Sequence, residues 1–458
     1  MSARIHSYRP GIKIKIGRRD PEAMDSKTDI DLSRALGDTG SCTITKSLYA
    51  PVGEFTIVLP DKPFNPGPGD TDSLYGIVSP LDPIEIQMSR ALVDGIGNLL
   101  PIEWHTVLRG VVRSVGRNEA VGGDGRVQRN VVISGHDCGA FFLMQQIRAF
   151  VTYLDTGAAI PPSLAYLLGS GLPPEPKPIG DVIWDVADFT TKDLMASAGF
   201  EWEWVYQNAK GWFVPSAVFS GEGPVWALLH RISDPPWNEL FVREGKDKPE
   251  LVFRPTPWRT LDKKWLDGAV PPTFWVIPVA NIVALNAHRD DTEVVQYIWP
   301  HMQVWGQAQN ARPLTAGWPQ PSQKYAPRNI AGTRMQEISS SVGAEMPPNN
   351  LPEKDQEKAD KDHVDWGIYR AKWIAEASEE AIRLESGDVT FKGDPRVRVG
   401  EYITIPRGDV KWSAYAVAVR HVYRGFQNYL TTVQYIRGEQ YVERLKANNP
   451  WYGERKTT

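Results

Sequence analysis

Cysteine is nearly absent, with Cys42 and Cys138 the only two in 458 residues. Two thiols cannot build a disulfide scaffold or a multi-cysteine zinc site. One bond between them is geometrically open, and the simpler reading is two buried thiols in a protein made in a reducing compartment. Long apolar runs are missing too. The most apolar window spans only residues 273–287 and contains Pro278 and Asn281, whereas a bilayer-spanning helix needs about 20 apolar residues. Residues 1–20 are basic throughout without a continuous apolar stretch, so neither a secretory signal nor membrane insertion is expected. A dominant charge is also lacking. Lys and Arg number 51 against 55 Asp and Glu, a net charge of −4, which excludes a polybasic nucleic-acid coat and a disordered polyanion. Finally, catalytic signatures are missing: no G-x-S-x-G elbow, no H-E-x-x-H, no phosphate-binding loop and no G-x-G-x-x-G after a strand. The 8 histidines are scattered, and none forms an i, i+2 or i, i+4 pair suited to a metal.

Turn formers and aromatics are abundant. The chain has 37 Pro, 39 Gly, 17 Trp, 16 Tyr and 14 Phe. That mixture favours many short strands over long helices, and 41% hydrophobic residues allow a sizeable core. At roughly 150 residues per domain, the length suggests about three domains.

Ile12, Ile14 and Ile16 alternate with Lys13 and Lys15, the period-two mark of a strand. A short edge strand with a lysine face is expected there, on a basic N-terminal arm of residues 1–40. Cys42–Lys46, Phe55–Leu59, Ile84–Met88, Val107–Val115 and Asn130–Ser134 read as strands of a small barrel or sandwich, residues 41–149, followed by a helix from Ala140. A proline-rich and helical insertion, 150–222, holds a helix over Asp181–Ala198. A second β unit opens at 223–299 with a helix over Val225–Ile232, stopped by Asp234-Pro235-Pro236, and a hairpin of Asn238–Arg243 with Glu250–Arg254. A loop and helix insertion fills 300–390. Its helix is expected over His363–Glu385, with Val364, Ile368, Ala371, Ala375 and Ile382 on one stripe and Gly387 as the stop. Residues 391–440 complete the second unit as a split barrel, with strands Val397–Ile405, Ser413–Arg424 and Tyr429–Arg437, and 441–458 form a tail. In the middle strand Tyr415, Val417, Val419, His421 and Tyr423 should face one way, and Ala414, Ala416, Ala418 and Arg420 the other. The fold class is mainly β with α insertions, α+β. No short repeat is visible, and two β units of similar size leave room for a duplication at the level of the fold.

Three constellations invite a chemical reading. Ser134, His136 and Asp137 adjoin in sequence, but triads assemble from distant segments, so a strand end is expected. Asp290, Asp291 and Glu293 suit a helix cap or solvated turn better than a cation site or general-base pair. Glu201-Trp202-Glu203-Trp204 suggests sugar handling, yet strand alternation sends both tryptophans to one face and both glutamates to the other.

The segment Gly393–Gly438 combines GDPRVRVGEYITI with YAVAVRHVYRGFQNYLTTVQYIRG. It resembles baseplate hub proteins of contractile-tailed bacteriophages, the family that includes the late-control tail proteins. The matching positions are Gly393, Pro395, Gly400, Tyr415, His421, Thr431, Thr432, Arg437 and Gly438. Asn238 within WNELF, and Arg254 and Pro255 opening an Arg-Pro-x-Pro turn, are similar to the family's hairpin. Residues 290–297 resemble its short acidic segment, and Gly135 with Asp137 the end of its first barrel. The resemblance implies two tail-tube-like β-barrels per subunit, with three subunits forming a ring of six barrels around a channel. Such a homotrimer joins the six-fold tail tube to the three-fold central spike and leaves a passage for DNA. Implied partners are the tail tube or tube-initiator protein, the central spike, wedge and other baseplate proteins, the tape measure protein as a further candidate, and DNA transiently during ejection. The implied location is the virion, after assembly in the host cytoplasm. No cofactor and no enzymatic activity are expected, and any lytic activity of the particle would lie on another chain. The competing expectation is a carbohydrate-binding protein or glycoside hydrolase using Trp202, Trp204 and a carboxyl pair.

Overall fold

Period-two alternation settles the first strand, because successive side chains of an extended chain point to opposite faces. Ile12, Ile14 and Ile16 are all buried on one side of β1 (Arg9–Arg18). The computed structural model describes residues 9–18, 28–61, 73–91, 102–147, 161–167, 177–213, 223–258, 269–289, 297–302, 335–343 and 384–438, apart from a few positions within these ranges, with Trp265 and parts of 314–321 and 358–374. The first unit continues with β2 (Thr28–Asp31), β3 (Ser41–Ser47), β4 (Glu54–Pro60), β5 (Pro83–Ala91), β6 (Trp104–Val121) and β7 (Val127–Asp137). These strands are mutually antiparallel in the order β3-β4-β7-β6-β5-β1-β2. Their inward side chains, among them Ile44, Ile57, Ile86, Leu108 and Ile133, share one core.

Helices Pro162–Leu167 and Ile179–Ala198 follow, with β8 (Glu203–Tyr206) and β9 (Trp212–Phe213). The longer helix ends where Gly199 adopts a left-handed conformation that a glycine tolerates without steric cost. Helix Val225–Ile232 precedes the hairpin β10 (Asn238–Glu244) and β11 (Pro249–Pro255). Both long helices, Trp202 and one face of the hairpin form a second core. The second unit holds β12 (Phe274–Val276) and β13 (Ile282–His288). Between it and the C-terminal strands lie the short strands β14 (Tyr297–Met302), β15 (Leu314–Thr315), β16 (Gln320–Pro321), β17 (Met335–Ser340) and β18 (Val342–Gly343). β19 (Glu385–Lys392), β20 (Tyr402–Arg407), β21 (Val410–Arg424) and β22 (Asn428–Gly438) complete the unit.

The two units repeat one design. The first runs β3-β4-β7-β6-β5, and the second runs β13-β19-β22-β21-β20, with every neighbouring pair antiparallel. Register shifts fall at matching places, between Val112 and Ser114 in β6 and between Ala416 and Ala418 in β21. Beside each bulge the hydrogen bonds also match. Val112 donates to Asp82 and accepts from Leu81, while Ala416 donates to Glu401 and accepts from Gly400. Leu81 and Gly400 carry nearly the same positive φ, 73° and 76°. A leucine adopts that conformation at a steric cost that a glycine avoids. The fold-level duplication is therefore present, written in register and bulges.

The units are joined edge to edge. From Ala418 to Arg424, β21 pairs with β22 on one side and antiparallel with β3 on the other, running from Ala418 opposite Ser47 to Arg424 opposite Ser41. One 13-stranded sheet results. The two expected barrels appear as parts of this one sheet: among the described residues no sheet closes on itself, and the outer edge of β3 is taken by β21.

Other expectations change as well. β1 is flanked by β5 from Arg9 to Ile16 and by β2 from Lys15 to Arg18, so only its first half has an edge without a paired strand among the described residues, and part of the expected arm 1–40 belongs to the first sheet. The β10–β11 hairpin, expected within the second barrel, forms a separate three-stranded sheet with β8. Its Phe241 and Val252 pack on the second unit, so Trp412 to Val417 are buried on both faces of β21, and the expected one-sided alternation fails there. The strand expected over Val397–Ile405 begins only at Tyr402, because Gly400 turns the chain at positive φ. The helix expected over His363–Glu385 is helical across 365–372 and at Ile374, with Arg370, Ala371 and Ile374 buried. Glu385 already belongs to β19, while Val364, Ala375 and Ile382 lie outside the described residues.

Candidate functional site

The constellations that suggested chemistry do not converge. Ser134 and His136 share one face of β7, with His136 Nε2 2.8 Å from Arg113. Asp137 points the other way, paired with Lys46 and accepting from the Gly139 N–H at 3.0 Å. Trp202 is buried, stacked on Phe142 with centroids 5.2 Å apart, and its indole N–H donates to Thr191 at 2.9 Å. Trp204 stacks with Trp184, Tyr206 and Phe253. Glu201 pairs instead with Lys248 at the surface, 2.6 Å away. Both tryptophans are therefore packing residues, and nothing in their arrangement supports a sugar platform beside a carboxyl pair. Asp290, Asp291 and Glu293 lie outside the described residues. Cys42 and Cys138 are unpaired and buried, and burial pushes the Cys42 thiol up to about 12, far from a reactive thiolate. Among the described residues no cluster of three or more His, Cys, Asp and Glu gathers to hold a metal.

What the chain builds instead is a set of buried polar ties where sheets meet. The largest sits between the β10–β11 hairpin and the second unit. Arg254, 3% exposed, donates through Nε to Glu239 Oε1 at 2.7 Å and through Nη2 to the Gly400 carbonyl and the Tyr415 hydroxyl. Tyr415 in turn donates to the Glu239 carboxylate, 2.7 and 2.8 Å from its two oxygens. Burial alone would lower the proton affinity of Arg254, but Glu239 and Tyr415 outweigh it and hold the guanidinium above its ordinary value. Burial first, then the Glu239 charge, push the Tyr415 phenol well above its ordinary value. Gly400 suits this place twice over. Its φ favours glycine, and a Cβ would lie 2.7 Å from the Phe241 ring and 2.9 Å from Arg254. Arg437 faces the rings of Tyr415 and Trp258.

A second tie lies where β5 of the first unit meets the turn after β19. Asp394 accepts from Arg90 at 2.8 Å and from Arg396 at 2.7 and 2.9 Å. Burial raises its pKa, but the arginines outweigh that and lower it. Gly393 beside it packs against Tyr429, where a Cβ would sit 2.3 Å from the ring. Pro395 is buried in the same turn. His421 is enclosed nearby, its Nδ1 3.0 Å from the Tyr429 hydroxyl and 3.1 Å from that of Thr431. Burial pulls its pKa down to about 4, so it is neutral. A third tie joins β6 to β10: Glu244 accepts from the Arg109 N–H at 2.7 Å and from its guanidinium at 3.1 Å.

Of the residues singled out by sequence, the structure thus gathers Arg254, Gly400, Tyr415 and Arg437 at one junction, and Gly393, Pro395 and His421 at another. Asn238 opens β10 opposite Pro255, and Gly438 ends β22 opposite Glu385. Gly135 and Asp137 stay in the first unit, where a Cβ on Gly135 would meet the Phe55 ring at 2.6 Å. Sequence reasoning missed Glu239, Asp394, Arg90, Arg109 and Glu244 as partners. An acid directly before an apolar run, as in Glu239-Leu240-Phe241-Val242, was the one signal available.

No protein-family model matches the chain, and no curated protein matches it either. Several solved structures do. The solved structures it is similar to include phage tail proteins. A tail protein from Neisseria meningitidis is 11% identical, covering 93% of this chain and 96% of that one, with a TM-score of 0.49. The 43 kDa tail protein of prophage MuSo2 from Shewanella oneidensis is 11% identical over 93% and 97%, with a TM-score of 0.45. A prophage tail protein from Listeria monocytogenes is 9% identical over 95% and 97%, with a TM-score of 0.37. At these identities and scores the likeness names no function for this chain, and the reading below is carried by its own residues.

Proposed function

We propose that this chain is a structural hub of a phage tail baseplate, a homotrimer that joins the six-fold tail tube to the three-fold central spike and leaves a passage for DNA. The observation that carries the reading is the duplication: two units of one strand order and one bulge pattern, joined edge to edge through β21 and β3. Two equivalent units in each of three copies supply six around one axis, which is what a three-to-six adaptor requires. The hub-like spacing of Gly393, Gly400, Tyr415, His421 and Arg437 supports it, and at these positions the Gly400 carbonyl, the Tyr415 hydroxyl and the His421 ring are engaged in contacts within and between sheets. In this reading the partners are the tube or tube-initiator protein, the spike, wedge and tape measure proteins and, during ejection, DNA. The protein works in the virion without a cofactor, after assembly in the host cytoplasm.

Light scattering of the purified chain, combined with particle averaging by electron microscopy, tests this. The expected result is a mass three times 51.2 kDa and a three-fold ring with six similar densities. A monomer, or a ring without three-fold symmetry, overturns it.

A further inference from the structure

The duplication makes five strands of one unit equivalent to five of the other, and one pairing within the chain lacks its counterpart. The carboxyl half of β21 has β22 on one side and β3 on the other. Its equivalent is the carboxyl half of β6, which has β7 on one side. On the other side β5 reaches only as far as Val111, and the Leu81–Asp82 backbone as far as Val112. Beyond that point, among the described residues, no strand covers β6. The equivalent of β3 is β13, which pairs with β19 and carries nothing on its outer edge among the described residues. Two backbone edges are thus left over, and they are the counterparts of the two strands that pair inside the chain.

Burial agrees with this. On β21, Val419 and His421 are buried where β3 runs alongside. The equivalent stretch of β6 is exposed at Arg117, Asn118, Glu119 and Ala120, as are Val283, Ala284, Asn286, Ala287 and His288 on β13. Val121 and Val283 are 69% and 61% exposed, high for valines on strands. Free edges of this length invite pairing with another chain.

We infer that β6 of one copy pairs antiparallel with β13 of the next, in the register that β21 and β3 adopt within the chain. This rests on the hub reading and names the surface that would close the ring. The matched bulges set the register. Val112 corresponds to Ala416, so Asn118 corresponds to Val422 and Ala120 to Arg424. Through β19 and β4, Asn286 corresponds to Thr43 and Ala284 to Ser41. Val422 lies opposite Thr43 and Arg424 opposite Ser41. Asn118 of one copy therefore faces Asn286 of the next, and Ala120 faces Ala284. The contact uses a different surface on each partner, so it does not saturate in a dimer and closes only as a ring.

Disulfide trapping tests the register. Opposed residues of an antiparallel pair have Cα atoms about 4.5–5.5 Å apart, within the roughly 4.4–6.8 Å that a disulfide spans. Asn118→Cys/Asn286→Cys and, separately, Ala120→Cys/Ala284→Cys are oxidised at the concentration where light scattering reads the native assembly. The expected result is a ladder ending at three linked chains on a non-reducing gel, reversed by reductant, with either substitution alone giving none above wild type. Substitutions at exposed edges should spare folding, and the two pairs control for one another. Trimers in which neither pair links overturn the β6–β13 contact and leave the hub reading standing. A monomeric wild type overturns both.

Discussion

Removing the Glu239 carboxylate should cost more than its two hydrogen bonds suggest, because of what it leaves behind. Arg254 is nearly fully buried, and among the described residues Glu239 is the one carboxylate it is hydrogen-bonded to. In Glu239→Ala the guanidinium keeps the Gly400 carbonyl and the Tyr415 hydroxyl but loses the carboxylate it is paired with. Stranding one member of a buried ion pair costs about 3–5 kcal/mol. Tyr415→Phe removes a single hydroxyl between the two charges and should cost about 1–2 kcal/mol. Glu239→Ala/Arg254→Met removes both charges, so it should be less damaging than Glu239→Ala alone, although it deletes more atoms. Urea unfolding followed by tryptophan fluorescence reads the series. A chain with several cores need not unfold in one step, so the transition compared is the one that shifts in Tyr415→Phe. The reasoning fails if Glu239→Ala lowers the midpoint no further than Tyr415→Phe, or if the double variant is at least as unstable as Glu239→Ala. Either result would mean that the charge is not stranded and that the junction is held by packing of Phe241 and Val252.

Two further outcomes follow from the second junction and its neighbours. His421 has its pKa lowered from 6.5 to about 4 by burial, so the unfolded chain binds the proton more tightly and stability falls as pH drops through that window. The loss should reach about 3 kcal/mol near pH 4, at 1.36 kcal/mol per pH unit. Burial pushes Glu244 up from 4.5 to about 7. Its contribution runs the other way, with stability falling as pH rises between those values, so the His421 slope is read as the difference between wild type and His421→Gln. A difference that stays flat from pH 6.5 to 4 refutes the buried neutral histidine. Gly393→Ala places a methyl 2.3 Å from the ring of Tyr429, which is fully buried. It should cost about 1–3 kcal/mol, whereas Gly76→Ala, with open space around its Cβ, should be neutral or slightly stabilising in the same thermal unfolding assay. Equal melting temperatures for the two would refute the assigned contact.

Side-chain period made individual elements legible. Ile12, Ile14 and Ile16 announced β1, and the turn expected at Gly425–Asn428 announced the β21–β22 hairpin. The apolar spacing of Val182, Ile183 and Val186 announced the helix that runs from Ile179 to Ala198. The proposed functional class also came from sequence, through the family resemblance carried by the order of Gly393, Pro395, Gly400, Tyr415 and His421. Much less of the candidate site could be read. Glu239, Arg254, Gly400 and Tyr415 come from three separate stretches of chain, and no local pattern says that they meet. Likewise, nothing local said that Trp412–Val417 would be covered on both faces, because the hairpin that covers them lies far away in sequence.

The sequence by itself determined that the chain is mainly β, where many of its strands and the helices Ile179–Ala198 and Val225–Ile232 lie, and where glycine and proline break it. Those properties follow from neighbours within a few residues, where period and backbone sterics act. Only the tertiary structure decided that the first sheet runs on into the second, that the two units share a bulge and a register, and which edges remain free. Pairing is made by backbone N–H and C=O groups that every residue carries, so partner and register are chosen by distant packing and leave little trace in the identities of the residues.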